Sequence, residues 1–180
     1  MPGESARMRS AADARFRVQT PNSTPRAIKV IALDGVSEVV VRRLAGAGWK
    51  HATFLTAADA GGDLSDPASS ESTQQDPPHD SSPSTLRDLT GEIRSVTDEV
   101  DAADLVILVA APDGRARAAP LIGEACSLRS VMTTGFVVGV RSASEHALSK
   151  TLAQLRPWSL MVVIARSDDY IDDMMTALRA

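Results

Sequence analysis

The 180-residue sequence contains little cysteine and little histidine. Its single cysteine, Cys126, cannot form an internal disulfide or a thiolate metal site. Because Cys126 lies in an alanine-rich stretch, a small buried hydrophobe is favoured over a nucleophile. The three histidines, His51, His79 and His146, are scattered without metal-ligand spacing. The sequence therefore predicts no catalytic cysteine and no metal centre.

Aromatic residues are also scarce, at 3% of the chain, whereas the hydrophobic content of 43% is ordinary for a globular protein. Valine, isoleucine, leucine and alanine must therefore form the core. This composition favours a sheet of aliphatic strands covered by helices over an aromatic-rich β-sandwich.

Long apolar runs are absent, so no segment reaches the ~20 residues that a membrane-spanning helix needs. Residues 1–25 lack the apolar core of a secretory signal, and a cytoplasmic location is expected. The net charge of −4 argues against nucleic acid as the main partner. Several arginines lie in the first 26 residues, but no series of aromatic side chains accompanies them.

Composition divides the chain into a flexible N-terminal tail at 1–26 and a single α/β domain at 27–180. Within the domain, residues 60–84 are rich in serine, aspartate and proline and contain almost no apolar residue. Such a stretch cannot bury enough apolar surface to offset its ordering entropy. A disordered insertion is therefore predicted at about 60–84.

Aliphatic runs and helical spacing alternate along the domain. Strands are predicted at 27–33, 52–56, 105–110, within 131–140 and at 159–165. Helices are predicted at 36–47, from 84 or 85 to about 101, at 115–128, at 143–155 and from 167–169 onward. Strict alternation predicts a three-layer Rossmann-like sandwich with a parallel sheet of five or more strands, in the order 3-2-1-4-5.

Three apolar features leave two alternatives open. Trp49 and Trp158 each follow a helix end, where they either cap the edge of the core or form exposed interface anchors. The stripe of apolar residues in the last helix, from Tyr170 to Leu178, either faces the core or forms part of a homodimer contact.

In a doubly wound sheet the ligand site lies outside the carboxyl ends of the strands. Two loops with one glycine each are placed there, 33–37 and 111–115, and a helix predicted to start at Arg115 follows the second. Backbone N–H groups of Gly114 and Ala116 could then hold an anion. Candidate anion-binding residues are Asp34, Gly35, Ser37, Asp113, Gly114, Arg115 and Arg117. Both loops can equally be ordinary βα turns, with Asp34 or Ser37 as a helix cap.

No glycine-rich dinucleotide or phosphate-binding motif, nucleophile elbow, CxxC or HExxH is present. The segment order nevertheless resembles the N-terminal nucleotide-binding domain of the FtsZ/tubulin family. IKVIALDG at 28–35 is similar to the opening strand, and the segment 86–111 resembles the family's helix and following strand. AAPLIGEA at 118–125 resembles the helix behind its signature loop, while VGV at 138–140 and LMVVIARSDD at 160–169 resemble later strands. The resemblance covers roughly 27–175 without the polar insertion.

The departures from that family concern its function. The signature GGGTG[TS]G is replaced by 112–117, the glycine-rich opening loop is reduced to 33–37, and the sugar-contacting segment after Val140 has no counterpart. The family's second domain, which supplies its catalytic acids, also has no counterpart in this sequence. The resemblance thus implies a non-catalytic domain that acts through a protein partner or self-association. The alternative is a domain that still binds GTP, GDP or a phosphorylated metabolite at the strand ends.

A different doubly wound domain, the response-regulator receiver, is the remaining alternative. It requires an acidic cluster after the first strand, a phosphorylatable aspartate after the third and a lysine after the fifth. Asp34 fits the first requirement and Asp113 fits the second poorly. Arg166 stands where the lysine is needed, so the sequence matches this family less well.

Overall fold

The computed structural model describes residues 26–57, 85–166 and 169–178. The predicted insertion at 60–84 and all but the last residue of the predicted tail at 1–26 lie outside these ranges. The described part is an α/β fold built around one sheet.

Seven strands form the sheet. They are β1 Ile28–Ala32, β2 Ala52–Ala57, β3 Thr85–Asp88, β4 Ile93–Ser95, β5 Leu105–Ala110, β6 Met132–Val137 and β7 Met161–Ile164. Their order across the sheet is β4-β3-β2-β1-β5-β6-β7. The neighbouring strands β2, β1, β5, β6 and β7 are parallel. The β3–β4 hairpin pairs antiparallel with β2 at one edge of the sheet. The prediction of a mostly parallel sheet of at least five strands is confirmed.

The predicted strand order was wrong. Counted among the five parallel strands alone, the order is 2-1-3-4-5, because β5 pairs directly with β1 in a register that sets Ile28 opposite Leu105. The outer side of β2 is occupied by β3 instead, with Leu55 opposite Asp88. Strand–helix alternation fixes the parallel direction and the crossover hand but not which side of β1 the next strand joins.

Five α-helices in the described ranges cover the two faces of the sheet. They are α1 Gly35–Ala45, α2 Val96–Asp101, α3 Ala119–Leu128, α4 Glu145–Leu155 and α5 Asp169–Leu178. One buried cluster joins α1 and α5 to one face through residues such as Val41 and Ile171. A second cluster joins α2, α3 and α4 to the other face through residues such as Val100, Ile122 and Leu155. The three layers match the predicted architecture.

The helix predicted from 84 or 85 to about 101 is replaced by the β3–β4 hairpin and the six-residue α2. The turn is fixed by Asp88, whose Oδ1 accepts hydrogen bonds from the Thr90 N–H at 2.8 Å and the Glu92 N–H at 3.0 Å. Gly91 adopts a φ of +92°, which favours glycine. The three- and four-residue spacing of apolar side chains arose from two short strands and a short helix rather than from one helix.

Both tryptophans cap the edge of the core, which confirms the first of the two alternatives. Trp49 is partly buried against the first cluster, and its Nε1 donates to the Leu44 carbonyl at 3.0 Å. Trp158 is partly buried against the second cluster beside Gly123. Cys126 is buried as predicted, and burial raises the pKa of its thiol.

The apolar stripe of α5 faces the core. Ile171 and Met175 are fully buried, and Met174 and Leu178 pack partly against the same cluster. The ring of Tyr170 stacks on Phe136 with centroids 6.2 Å apart, although the residue remains half exposed. The core-facing alternative therefore describes this helix.

Candidate functional site

The carboxyl ends of β1 and β5 define the crevice of the sheet. β1 continues into α1 on one face, and β5 continues through the loop 111–118 into α3 on the other face. Chains that leave two neighbouring strands toward opposite faces open a gap between their loops, which is where doubly wound domains bind ligands. Both candidate anion loops lie at this gap.

Asp34 connects the first loop to the start of α1. Its Oδ1 accepts a hydrogen bond from the Ser37 N–H at 2.8 Å, and the Ser37 Oγ accepts from the Asp34 N–H at 3.1 Å. This reciprocal pair is a capping box. The cap that the sequence offered as an alternative to anion binding is therefore present.

The same carboxylate also holds the second loop. Asp34 Oδ2 accepts from the Ala111 N–H at 2.8 Å, although the two residues are 77 positions apart. A Cβ added at Gly114 would stand 2.4 Å from this oxygen and 2.8 Å from the Ala111 carbonyl. Gly114 thus allows the second loop to close against a carboxylate that is itself buried.

The loop 111–118 is also fastened to α4. Thr151, which is fully buried, donates from Oγ1 to the Ala111 carbonyl at 3.2 Å and accepts from the Asp113 N–H at 3.1 Å. The Gln154 Oε1 accepts from the Ala116 N–H at 3.3 Å. Two side chains of one helix therefore hold the loop at three points.

These contacts change the expected anion cradle. The helix behind the loop begins at Ala119, not at Arg115 as predicted, with Pro120 in its first turn. The Gly114 N–H donates to the Ala111 carbonyl at 3.0 Å, and the Ala116 N–H is held by Gln154. The two backbone groups predicted to face an anion are thus engaged within the protein.

The side chains of the other charged candidates, Arg115, Arg117 and Asp113, lie outside this network. Arg115 and Arg117 are exposed, as is Arg141 in the turn after β6, and none forms an ion pair with the residues that the structure describes. Asp113 is exposed and lies 3.5 Å from the Lys150 Nζ. The remaining candidate, Gly35, is the exposed first residue of α1.

Sequence reasoning missed Thr151 and Gln154. Both lie on α4, 38 to 40 positions after the loop that they hold. A threonine and a glutamine on an amphipathic helix carry no local pattern that distinguishes a loop contact from solvent exposure. Only the packing of α4 against the sheet brings them to the loop.

The described ranges contain no group of three metal-ligating side chains. Within the same ranges, no helix has the length and apolarity to cross a membrane.

The two aspartates considered for a receiver domain have different surroundings. The Asp34 carboxylate is buried and accepts hydrogen bonds from backbone N–H groups, whereas that of Asp113 faces solvent beside Lys150. Asp34 is therefore engaged as a cap and loop contact, and Asp113 does not face it as the phosphorylatable aspartate of a receiver domain would face its acidic cluster.

A cavity of about 500 Å³ opens at the amino ends of the strands, beside the first residues of β6 and β7. The end of α3 and the turn at Arg156–Trp158 form its walls, which include Gly123, Met132, Trp158 and Leu160. The described residues that line it carry no ionisable side chain. The cavity is therefore suited to apolar contact rather than to acid–base chemistry.

Comparison with known proteins adds no assignment, because no family model and no curated protein matches the sequence significantly.

Proposed function

We propose that this chain is a non-catalytic, FtsZ-like cytoplasmic domain that acts through contact with protein at the carboxyl edge of its sheet. The observation that carries the proposal is the buried Asp34 carboxylate. It takes the hydrogen bonds of the Ser37 and Ala111 N–H groups, which lie where a nucleotide phosphate would seek backbone donors.

A nucleotide phosphate meets two obstacles at this edge. It carries the same sign of charge as Asp34, and the donors of the second loop are already held by Ala111 and Gln154. To bind there, a phosphate must displace a buried carboxylate and release several internal hydrogen bonds. Each released hydrogen bond leaves a buried polar group without a partner, which costs about 1–3 kcal/mol.

The exposed groups at the edge favour a different ligand. Arg115, Arg117 and Arg141 follow neighbouring strands and present guanidinium groups without ion-pair partners among the described residues. Guanidinium forks match carboxylates in paired hydrogen bonds. An acidic segment of a protein partner fits this surface on a chain whose own net charge is −4.

The same three arginines support a second candidate function, a domain that holds a phosphorylated metabolite by side chains alone. Guanidinium groups bind phosphate in the same forked geometry. Such a ligand would be solvent-exposed and would lack the backbone cradle of a nucleotide site. It therefore differs from an acidic polypeptide in size and in the number of charges that it presents at once.

Fluorescence anisotropy with a labelled oligoglutamate peptide tests the proposal. We expect salt-sensitive binding by the full chain, since exposed ion pairs are screened. Replacing Arg115, Arg117 and Arg141 together by alanine should weaken binding by about 3- to 150-fold, since each of the three lost pairs contributes roughly 0.2–1 kcal/mol.

The matched control removes three positive charges elsewhere. Arg26, Lys50 and Arg156 also lack ion-pair partners among the described residues, but they precede β1, β2 and β7 and so lie toward the amino ends of the strands. Their joint replacement by alanine should leave peptide binding close to that of the unmodified chain. Equal loss in both triple variants would contradict the proposal, as would competition by inorganic phosphate at equal charge concentration, which supports the metabolite candidate.

A further inference from the structure

The outer edge of β7 exposes an uncharged apolar segment. Residues 159–165 read SLMVVIA, and Leu160, Met161 and Ile164 are 82%, 54% and 44% exposed. No strand in the described ranges pairs with this side of β7. Natural proteins usually protect such an edge with charge, proline or a bulge, because its unpaired backbone groups are a template for another strand.

The other edge of the same sheet carries this protection. β4 has only three residues, and its central Arg94 lies 3.0 Å from Glu92 and 3.5 Å from Asp88. A short strand in a cluster of charges is a poor template for pairing. Since one edge is protected in this way and no described strand pairs with the other, the β7 edge has the character of a contact surface.

We propose that β7 pairs with β7 of a second copy, in antiparallel orientation about a two-fold axis at Val162. Such an axis keeps each face of the sheet on the same side, so opposite residues must share a face. Met161 then lies opposite Val163 of the partner subunit, and Leu160 lies opposite Ile164 of the partner subunit.

This pairing covers the exposed side chains with one another. Val162 packs with the α3–α4 face of the sheet, and alternation places Leu160 and Ile164 on that face too. Ile164 of the partner subunit therefore arrives beside Leu160 and the cavity that it lines. Because the segment 159–165 contains no charge, self-pairing sets no like charges opposite each other.

The lack of charge in residues 159–165 favours a second copy over a charged partner. An acidic or basic strand would have no opposite charge to pair with along β7. A stable interface buries about 800 Å² on each side, which a four-residue strand alone does not supply. The exposed Leu128 and Met132 near the cavity extend the apolar surface. A weak dimer that forms with rising concentration is expected.

Pairing through β7 is separate from the proposed function. It involves the outer side of a strand, whereas Arg115, Arg117 and Arg141 follow the carboxyl ends of β5 and β6. Sedimentation velocity of the full chain over a wide concentration range tests it. The weight-average mass should rise from 19.0 kDa toward twice that value. Leu160→Lys alone and Ile164→Glu alone should keep the chain monomeric, since each places a charge on the bare edge.

The double variant is the decisive test of the register. With Leu160→Lys and Ile164→Glu in one chain, each introduced ammonium lies opposite the introduced carboxylate of the second copy, and association should return. Val39→Lys, at an exposed apolar position on α1, is the control and should dimerise like the unmodified chain. Circular dichroism establishes that each variant is folded.

Three results would overturn the inference. They are a monomeric unmodified chain at every concentration, single variants that associate like the unmodified chain, and a double variant that stays monomeric while Val39→Lys dimerises. None of these results affects oligoglutamate binding, so failure here is distinguishable from failure of the proposed function.

Discussion

The Asp34 carboxylate accepts backbone hydrogen bonds from two loops, so its removal should destabilise the fold. Asp34→Ala takes away the α1 cap, worth about 1 kcal/mol, and leaves the buried Ala111 N–H unpaired. The expected loss is about 2–4 kcal/mol in the free energy of unfolding. Urea denaturation followed by circular dichroism measures it.

Asp34→Asn should give an intermediate loss of about 1–2 kcal/mol, because an amide has one acceptor oxygen and cannot serve both N–H groups. The control is Asp113→Asn at an exposed carboxylate whose contact with Lys150 spans 3.5 Å. Asparagine tolerates the φ of +66° found there. A surface pair contributes about 0–1 kcal/mol, so a loss at Asp113 equal to that at Asp34 would contradict the assigned role.

At the scale of elements, α3 and the turn at Arg156–Trp158 pack through Gly123. A Cβ added at Gly123 would lie 2.4 Å from the Trp158 Cβ and 2.9 Å from its Cγ. Gly123→Ala should therefore displace Trp158 and cost about 1–3 kcal/mol, as overpacking of a tight contact does. In a Trp49→Phe background, the emission of Trp158 alone reports the displacement.

Gly46→Ala provides the comparison. Gly46 follows α1 with a φ of −64°, and an added Cβ would be 3.2 Å from the Arg43 carbonyl. Since alanine adopts this backbone conformation readily, stability should stay within about 1 kcal/mol of the unmodified chain. Unchanged Trp158 emission and stability in Gly123→Ala would show that the two elements do not pack as described.

Long, strongly patterned elements could be predicted from the sequence, whereas short ones could not. β1 and β5 were evident as continuous aliphatic runs, and α4 was predicted at 143–155 close to its observed range. The β3–β4 hairpin was not, because two short strands and α2 happened to space Leu86, Leu89 and Ile93 as one helix would. Its turn depends on Asp88, whose pKa is lowered chiefly by the hydrogen bond from the Thr90 side chain.

At the scale of the whole molecule, the sequence predicts the class of fold but not its strand order. Aliphatic strands alternating with helices specify a parallel sheet with two covered faces. The position of β5 beside β1 depends on contacts between distant segments, as does the hydrogen bond from Ala111 to Asp34. The sequence thus placed both candidate loops at the carboxyl ends of β1 and β5, where the structure has them, whereas their internal bonding could not be predicted.

Isothermal titration of the purified chain with GTP and with GDP, each in the presence of magnesium, measures whether the crevice between β1 and β5 binds a nucleotide. Because the Asp34 carboxylate and the internal contacts of the loop 111–118 take the backbone donors of the crevice, we predict no saturable heat for either nucleotide. Saturable binding with micromolar affinity would show instead that the crevice opens and that its backbone donors accept a phosphate.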